Sequence, residues 1–157
     1  MDYQNIVSER IGAVARIRLN RPAVRNAQDR SLLRELDHAL RAAEADDEVR
    51  VVIIGATGDH FSAGHDLKSA KIERPNPTVE QRWEYEEEHF LEYCLRLHDL
   101  KKPTIAQVQG ACIAGGFMVA NLCDLVVAAD DAFFADPVCH SMGAAAVEVL
   151  VHPWVMG

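Results

Sequence analysis

A length of 157 residues, with 49% hydrophobic and 25% charged residues, is typical of one ordinary globular domain. A chain of this size buries roughly two-thirds of its unfolded surface, so neither disulfides nor a structural metal are required for stability. The net charge of −8 argues against sequence-independent binding to nucleic acid, which requires a basic face. We therefore expect a single domain over residues 1–157 and no nucleic-acid partner.

The cysteines and the longest apolar stretch bear on the compartment. The four cysteines are Cys94, Cys112, Cys123 and Cys139, and none of them forms a CxxC pair. The sequence before them shows no charged-then-apolar leader of the secretory type. Residues 111–129 are apolar but are interrupted by Asn121 and Asp124, which is a poor pattern for a membrane span. We expect reduced thiols in a cytoplasmic protein without a membrane partner.

The first half of the chain alternates between strand and helix patterns. Residues 13–19 alternate apolar and polar side chains, as a half-buried strand requires. Residues 31–44 carry apolar side chains at helical spacing, which predicts an amphipathic helix. Residues 49–54 include a β-branched run that predicts a strand covered on both faces, so residues 55–66 form a loop at its end.

The second half continues the alternation. Two prolines in residues 72–78 predict an exposed insertion, followed by a long helix over residues 80–100 on which Trp83 and Tyr85 are packing residues. The remaining predicted elements are strands over residues 104–109, 125–129 and 132–135 and a short helix over residues 115–123. Strands that alternate with helices indicate an α/β domain.

Two glycine-containing loops, residues 61–67 and 109–117, each follow a predicted strand. Small residues let backbone N–H groups approach a ligand closely, and a helix that begins at Gly115 adds the positive end of its dipole. Two such donors could hold one carbonyl oxygen as it becomes an enolate or oxyanion. The alternative is that these glycines only make turns and close packing. Neither loop contains GxGxxG or GxxxxGK[ST].

Several segments together resemble the enoyl-CoA hydratase/isomerase (crotonase) family, in the family's order and along essentially the whole chain. The matching segments are residues 17–22, Asn26-Ala27, residues 46–54, 61–67 and 102–106, the loop ending in Gly115-Gly116, and residues 122–125. The resemblance implies an α/β, crotonase-like (ClpP/crotonase) spiral of repeated β-β-α units. It also implies a homotrimer or hexamer that binds an acyl-CoA thioester, with coenzyme A as part of the substrate and no other cofactor.

The resemblance also implies roles for particular residues. Ala63 and Gly115 fall where the family places its two oxyanion-hole N–H groups. Two groups of residues fall where the family contacts coenzyme A: Val24 and Arg25 in the first loop, and Gly64, His65, Asp66 and Leu67 beside the adenine and pantetheine. His60, His65 and Asp66 show no established metal-ligand spacing, so we expect no metal.

The sequence departs from the family at both hydratase glutamates. Hydration needs one group to activate water and one to protonate the α-carbon, but these positions are Met118 and Val138, which exchange no protons. Three groups are candidate substitutes: Asp136, His140 and Glu148. The alternative for Asp136, which precedes a proline, is a turn or helix cap, and for His140 a surface or packing residue.

The chain is also shorter than family members, so we expect the C-terminal helical region to be missing, with a natural frameshift, a split gene or a cut chain as explanations. The apolar residues 144–155 then pack within the domain or against a separate chain that supplies this part.

Three functions stay open. The chain binds an acyl-CoA of fatty-acid metabolism and stabilises its enolate, or it is an inactive truncated or split subunit that keeps fold and assembly, or it performs another crotonase-type reaction such as isomerisation or thioester hydrolysis.

Overall fold

The computed structural model describes residues 2–138, 140 and 147–156, with side chains at all of these except residues 147–151. The strands are β1 (Ile6–Ile11), β2 (Val14–Leu19), β3 (Val51–Ala56), β4 (Thr104–Val108), β5 (Ala111–Ile113), β6 (Leu125–Ala128) and β7 (Phe133–Ala135). The α-helices are α1 (Arg30–Ala45), α2 (Leu67–Glu73), α3 (Val79–Glu86), α4 (Glu92–His98), α5 (Gly115–Asn121) and α6 (Val147–Met156). None of the helices in these ranges is long and apolar enough to cross a bilayer.

The main sheet has five strands in the order β1-β2-β3-β4-β6. β1 and β2 form an antiparallel hairpin, and every other pair in this sheet is parallel. A row of side chains crosses the sheet from Ile17 to Ile54 to Ala106, and all three are fully buried. β5 and β7 form a separate two-stranded parallel sheet. The arrangement confirms the predicted α/β class.

Helix α1 covers one face of this sheet with an apolar stripe. Its buried apolar side chains recur at helical spacing and are Leu32, Leu33, Leu36, Ala39, Leu40 and Ala43. The Asp29 carboxylate caps the first turn by accepting a hydrogen bond from the Leu32 N–H at 2.8 Å. The predicted helix over residues 31–44 is confirmed within one residue at each end.

Four elements differ from the sequence-based predictions. β1 was not predicted, because Ile6 is its single buried residue and the strand shows no alternation. α2 lies mainly over residues 68–71, for which the sequence predicts no element, and β5 lies within the predicted glycine loop over residues 109–117. The long helix over residues 80–100 begins at Val79 and changes to a π-helical turn over Glu87–Leu91 before α4.

The two aromatic residues of α3 behave differently from each other. Trp83 is 73% exposed, so its predicted packing role is wrong. Tyr85 is half-buried, stacks on the His89 ring at 4.7 Å and carries the Arg74 guanidinium 3.2 Å from its ring centroid. The contact between the Arg74 cation and the Tyr85 ring explains why Tyr85 is packed. Trp83, two positions earlier on α3, remains in solvent.

Strand β6 lies at the edge of the main sheet and exposes apolar side chains. Leu125 is 62% exposed and Val127 is 60% exposed. Val126 continues the buried row beyond Ala106, but it is exposed as well. The sheet thus has one well-covered centre and one apolar edge.

Asn26 fixes the loops at the carboxyl ends of β2 and β3. It is fully buried and adopts a left-handed conformation, with φ of 53°. Its Nδ2 donates to the carbonyl oxygens of Thr57 at 2.9 Å and His60 at 2.8 Å, and its Oδ1 accepts from the Arg21 N–H at 2.7 Å. One side-chain amide therefore hydrogen-bonds three backbone groups from two loops. Buried polar groups require such partners, so the amide and the backbone groups satisfy each other.

Replacing Asn26 by Asp tests this contact. Asp lacks the amide donor, so two buried carbonyl oxygens lose their partners, and we expect the free energy of unfolding to fall by at least about 2 kcal/mol. Urea denaturation followed by circular dichroism measures the change. Asn76→Asp, at an exposed position, is the control and should stay within about 0.5 kcal/mol of the parent. Equal stability of both variants would contradict the role assigned to Asn26.

Candidate active site

Three loops meet where β2, β3 and β5 end. The Ser62 N–H donates to the Ala111 carbonyl at 3.0 Å, and the Ile113 N–H donates to the Ser62 carbonyl at 2.9 Å. On the other side, the Gln28 N–H donates to the Gly64 carbonyl at 2.8 Å. The segment after β3 is therefore held between the other two loops by parallel, strand-like pairing.

Glycines allow these loops to touch. A Cβ on Gly64 would lie 2.9 Å from the Ile113 carbonyl oxygen, and Gly64 has a φ of +85°. A Cβ on Gly116 would lie 2.6 Å from the Ser62 Cβ. Both distances are shorter than side chains tolerate, so the close approach depends on glycine. The alternative interpretation of turns and close packing is confirmed at these two positions.

The backbone donors differ from the predicted pair at one position. The Ala63 N–H donates to the Arg25 carbonyl oxygen at 2.9 Å, so this donor is already occupied. Within the described ranges, no group accepts from the N–H of His65 or from that of Gly115, which begins α5. A Cβ on Gly115 would lie 3.4 Å from the His65 ring, which places the two residues side by side. The N–H groups of His65 and Gly115 are therefore adjacent donors without an acceptor among the described residues.

Ala114 presents the Gly115 N–H from a rare conformation. Its φ is +46° and its ψ is −118°, a combination that L-residues seldom adopt. The Ala114 N–H donates to the Ala135 carbonyl at 2.9 Å, which ties this turn to the end of β7. Strain of this kind persists where the surroundings over-determine the backbone, and it is frequent at functional sites.

The His65 side chain packs beside these donors. Its ring meets the Phe90 ring edge-on, with centroids 4.9 Å apart. Burial lowers the pKa of His65, and the nearby Arg74 charge lowers it further. The imidazole is therefore neutral near pH 7, and it adds no positive charge to the pair of N–H groups.

Asp66 holds the loop in place. Its carboxylate accepts hydrogen bonds from the Ser69 N–H at 3.1 Å, capping α2, and from the Arg21 guanidinium at 3.1 Å. Arg21 also pairs with Asp29 at 3.0 Å. Burial acts to raise the pKa of Asp66, but the bonds from Ser69 and Arg21 outweigh it and lower that pKa. The interpretation of Asp66 as a loop-holding residue is confirmed.

The other residues predicted to contact coenzyme A lie at the rim of the site. Val24, Arg25 and Leu67 are exposed, while Gly64 is buried in the loop contact. The Arg25 backbone joins this rim to Ala63. Their contact with coenzyme A stays a prediction.

The two positions without glutamate are both buried. Met118 lies one turn into α5, and its N–H donates to the Ala114 carbonyl at 2.9 Å. Val138 is buried and its N–H donates to the Asp136 carboxylate at 3.2 Å. Met118 and Val138 are therefore buried apolar residues, and their correspondence to the hydratase glutamates stays a prediction.

Asp136 belongs to a small polar network beside α5. Its Oδ2 lies 2.9 Å from His152 Nε2, and His152 Nδ1 lies 2.7 Å from the Asn121 amide nitrogen. The His152 ring stacks on Phe117 at 4.2 Å. Together with the Val138 contact, this confirms Asp136 as a turn residue, and its acid–base role stays a prediction.

Two further candidates and the histidine of the first loop complete the site. His140 is at the surface, as the alternative interpretation expected. Glu148 is part of α6, but its side chain lies outside the described residues. His60 Nδ1 accepts a hydrogen bond from the Ala111 N–H at 3.2 Å, which is a structural role. In the part of the chain that the structure describes, no three His, Cys, Asp or Glu side chains are arranged to hold a metal ion.

A family model for enoyl-CoA hydratase/isomerase matches residues 9–150. The chain belongs to the enoyl-CoA hydratase/isomerase family. EchA13 from Mycobacterium tuberculosis is 45% identical over 163 residues, covering 93% of this chain and 51% of its own length. A 4-chlorobenzoyl coenzyme A dehalogenase-2 from an Arthrobacter species is 33% identical over 141 residues, covering 90% of this chain and 50% of its own length.

A solved structure shows the same fold. The crystal structure of an enoyl-CoA hydratase/isomerase from Xanthobacter autotrophicus Py2 superposes with a TM-score of 0.89 at 40% identity. It covers 98% of this chain and 55% of the Xanthobacter chain. This family member spans about half the length of the curated relatives that it matches.

The lowered pKa of Asp66 predicts a pH-dependent contribution to stability. A carboxyl whose folded pKa is depressed stabilises the fold above its unfolded pKa, near 4, and that contribution disappears as the pH falls through the folded value. The parent should therefore lose more unfolding free energy than Asp66→Asn between pH 7 and pH 2.5, measured by urea denaturation. Asp131→Asn, at an exposed residue, should follow the parent's profile. Identical pH profiles for the parent and Asp66→Asn would contradict this account.

Proposed function

We propose that this chain binds an acyl-CoA thioester and holds its carbonyl oxygen between the backbone N–H groups of His65 and Gly115. The observation that carries the proposal is the adjacency of two unoccupied backbone donors in a site formed by three tightly joined loops. Fixed donors stabilise the negative charge that grows on a thioester oxygen as an enolate forms. Family membership supports the substrate class.

The rigidity of the loops supports the role of these donors. Asn26, Gly64 and Ala114 each set a backbone conformation that a flexible loop would not retain. Donors that are already oriented need no reorganisation when charge develops, which is the basis of their catalytic value. The exposed rim of Val24, Arg25 and Leu67 offers coenzyme A an approach from solvent.

The chemistry that follows enolate stabilisation differs from two-glutamate hydration. Met118 and Val138 cannot carry protons, and the relatives include both EchA13 at 45% identity and a named dehalogenase at 33% identity. Asp136 favours a second candidate, another crotonase-type reaction such as isomerisation or thioester hydrolysis. It is tied to the site because the Ala114 N–H donates to the carbonyl of the preceding residue, Ala135. In the absence of such activity, the chain acts as an acyl-CoA-binding subunit.

Acetoacetyl-CoA binding, measured by isothermal calorimetry, tests the proposed donor. Gly115→Pro removes the N–H and is compatible with the first position of a helix. Gly115→Ala adds a Cβ at the same place, against the Gln28 amide oxygen, but keeps the N–H. We expect Gly115→Pro to bind at least about tenfold more weakly than Gly115→Ala, since one hydrogen bond is lost.

Each other result of this comparison has a definite meaning. Equal weakening by Pro and Ala would show that crowding, rather than the missing donor, reduces binding. No binding by the folded parent would overturn the proposed function. Circular dichroism of each variant establishes that the fold is retained.

The same chain is not expected to hydrate crotonyl-CoA, because neither Met118 nor Val138 can deliver a proton. Loss of the enoyl absorbance in the presence and absence of protein measures this. Turnover above the protein-free rate would contradict the expectation. If such turnover disappeared in Asp136→Asn, it would identify Asp136 as the acid–base group.

A further inference from the structure

Gln28 is a buried polar side chain that the proposed mechanism does not use. It ends the loop that follows β2, directly before the cap of α1, and is only 3% exposed. Neither its Oε1 nor its Nε2 has a hydrogen-bonding partner among the described residues. A buried amide without partners disfavours the folded state, so its presence calls for a group that completes its hydrogen bonds.

The amide lies next to the proposed oxyanion donors. The Gln28 backbone bonds to Gly64 and Asp66 on both sides of His65, which fixes its position relative to that residue. Its Oε1 lies 2.7 Å from the place that a Cβ on Gly115 would occupy. Because a Cβ stands about 2.5 Å from its own backbone nitrogen, this oxygen is within about 5 Å of the Gly115 nitrogen.

A small cavity of about 20 Å³ also borders Gln28. Its lining is mainly apolar and includes Leu33, Phe90 and Val119. Val119 is one turn along α5 from Gly115, so the cavity extends away from the donors. The amide thus stands between the place for a thioester carbonyl and a mainly apolar cavity that is about the size of one water molecule.

We propose that Gln28 is a specificity-determining residue, whose amide hydrogen-bonds an oxygen atom carried by the acyl chain close to the thioester. This inference rests on the proposed function. An amide donates and accepts, so a hydroxyl or a carbonyl on the chain completes its hydrogen bonds. An unsubstituted chain leaves the amide unpaired, and sites with such buried groups reject analogues that lack the matching atom.

Calorimetric binding of 3-hydroxybutyryl-CoA and butyryl-CoA tests the proposal. These two probes share coenzyme A, the thioester and the chain length, and they differ in one hydroxyl. We expect the parent to bind the hydroxylated probe at least about tenfold more tightly. In Gln28→Met, which keeps an unbranched side chain of similar length, the ratio should fall to about one while butyryl-CoA binding is retained or strengthened.

Thermal unfolding without ligand supplies an independent readout. Gln28→Met removes the unpaired amide, so we expect its Tm to rise by about 2–4 °C. Gln28→Leu is a second variant with the same expected direction, for use if Gln28→Met does not fold. A lowered Tm in both folded variants would show that the amide is already paired in the free protein, which would overturn the proposal.

The binding outcomes separate this proposal from the one beneath it. If the parent binds both thioesters equally, or if Gln28→Met keeps the preference, the role of Gln28 is overturned while thioester binding stands. If neither thioester binds to the folded parent, the proposed function fails and the role of Gln28 fails with it. A preference that is present in the parent and absent in Gln28→Met supports both.

Discussion

One buried amide, that of Asn26, sets the positions of the loops around the site. It joins Arg21 to Thr57 and His60, so the loops after β2 and β3 cannot separate without breaking three hydrogen bonds. The backbone carbonyl of Asn26 accepts a hydrogen bond from the Ser62 hydroxyl at 2.9 Å. This bond extends the restraint to the segment that contains His65. A polar side chain without water around it must be paired completely, and this requirement selects one arrangement of the loops.

The remainder of the site follows from strand-like pairing outside the main sheet. The segment from Ser62 to Asp66 is bonded to β5 on one side and to Gln28 on the other. In the parallel pairing with Gln28, the bonds are made by the carbonyl of Gly64 and the N–H of Asp66, so the N–H of His65 between them points away from Gln28. The Ala63 N–H is used by the Arg25 carbonyl, whereas no described residue accepts from the His65 N–H.

Much of the fold could be predicted from residue patterns, because α1 and β2 have a strong apolar periodicity and β3 is a continuous β-branched run. The family, and with it the glycine loops, also follows from residues in order. The donor at His65 could not be found this way, since the bond that occupies Ala63 comes from a residue 38 positions earlier (63 minus 25). Gln28 gave no local signal either, because its lack of partners is a property of the folded chain. The predicted packing of Trp83 is wrong, because a bulky aromatic side chain is buried only when other residues lie against it, and Trp83 is exposed.

The exposed apolar side chains of the edge strand β6 bear on the association of this chain with other chains. Among the described residues, no strand pairs with the outer side of β6, and Leu125 and Val127 are exposed there. An exposed apolar edge of this kind is a template to which another strand can add. Any chain that adds there shifts the folding equilibrium by mass action. Addition of a chain at β6 would therefore make the free energy of unfolding depend on the concentration of that chain.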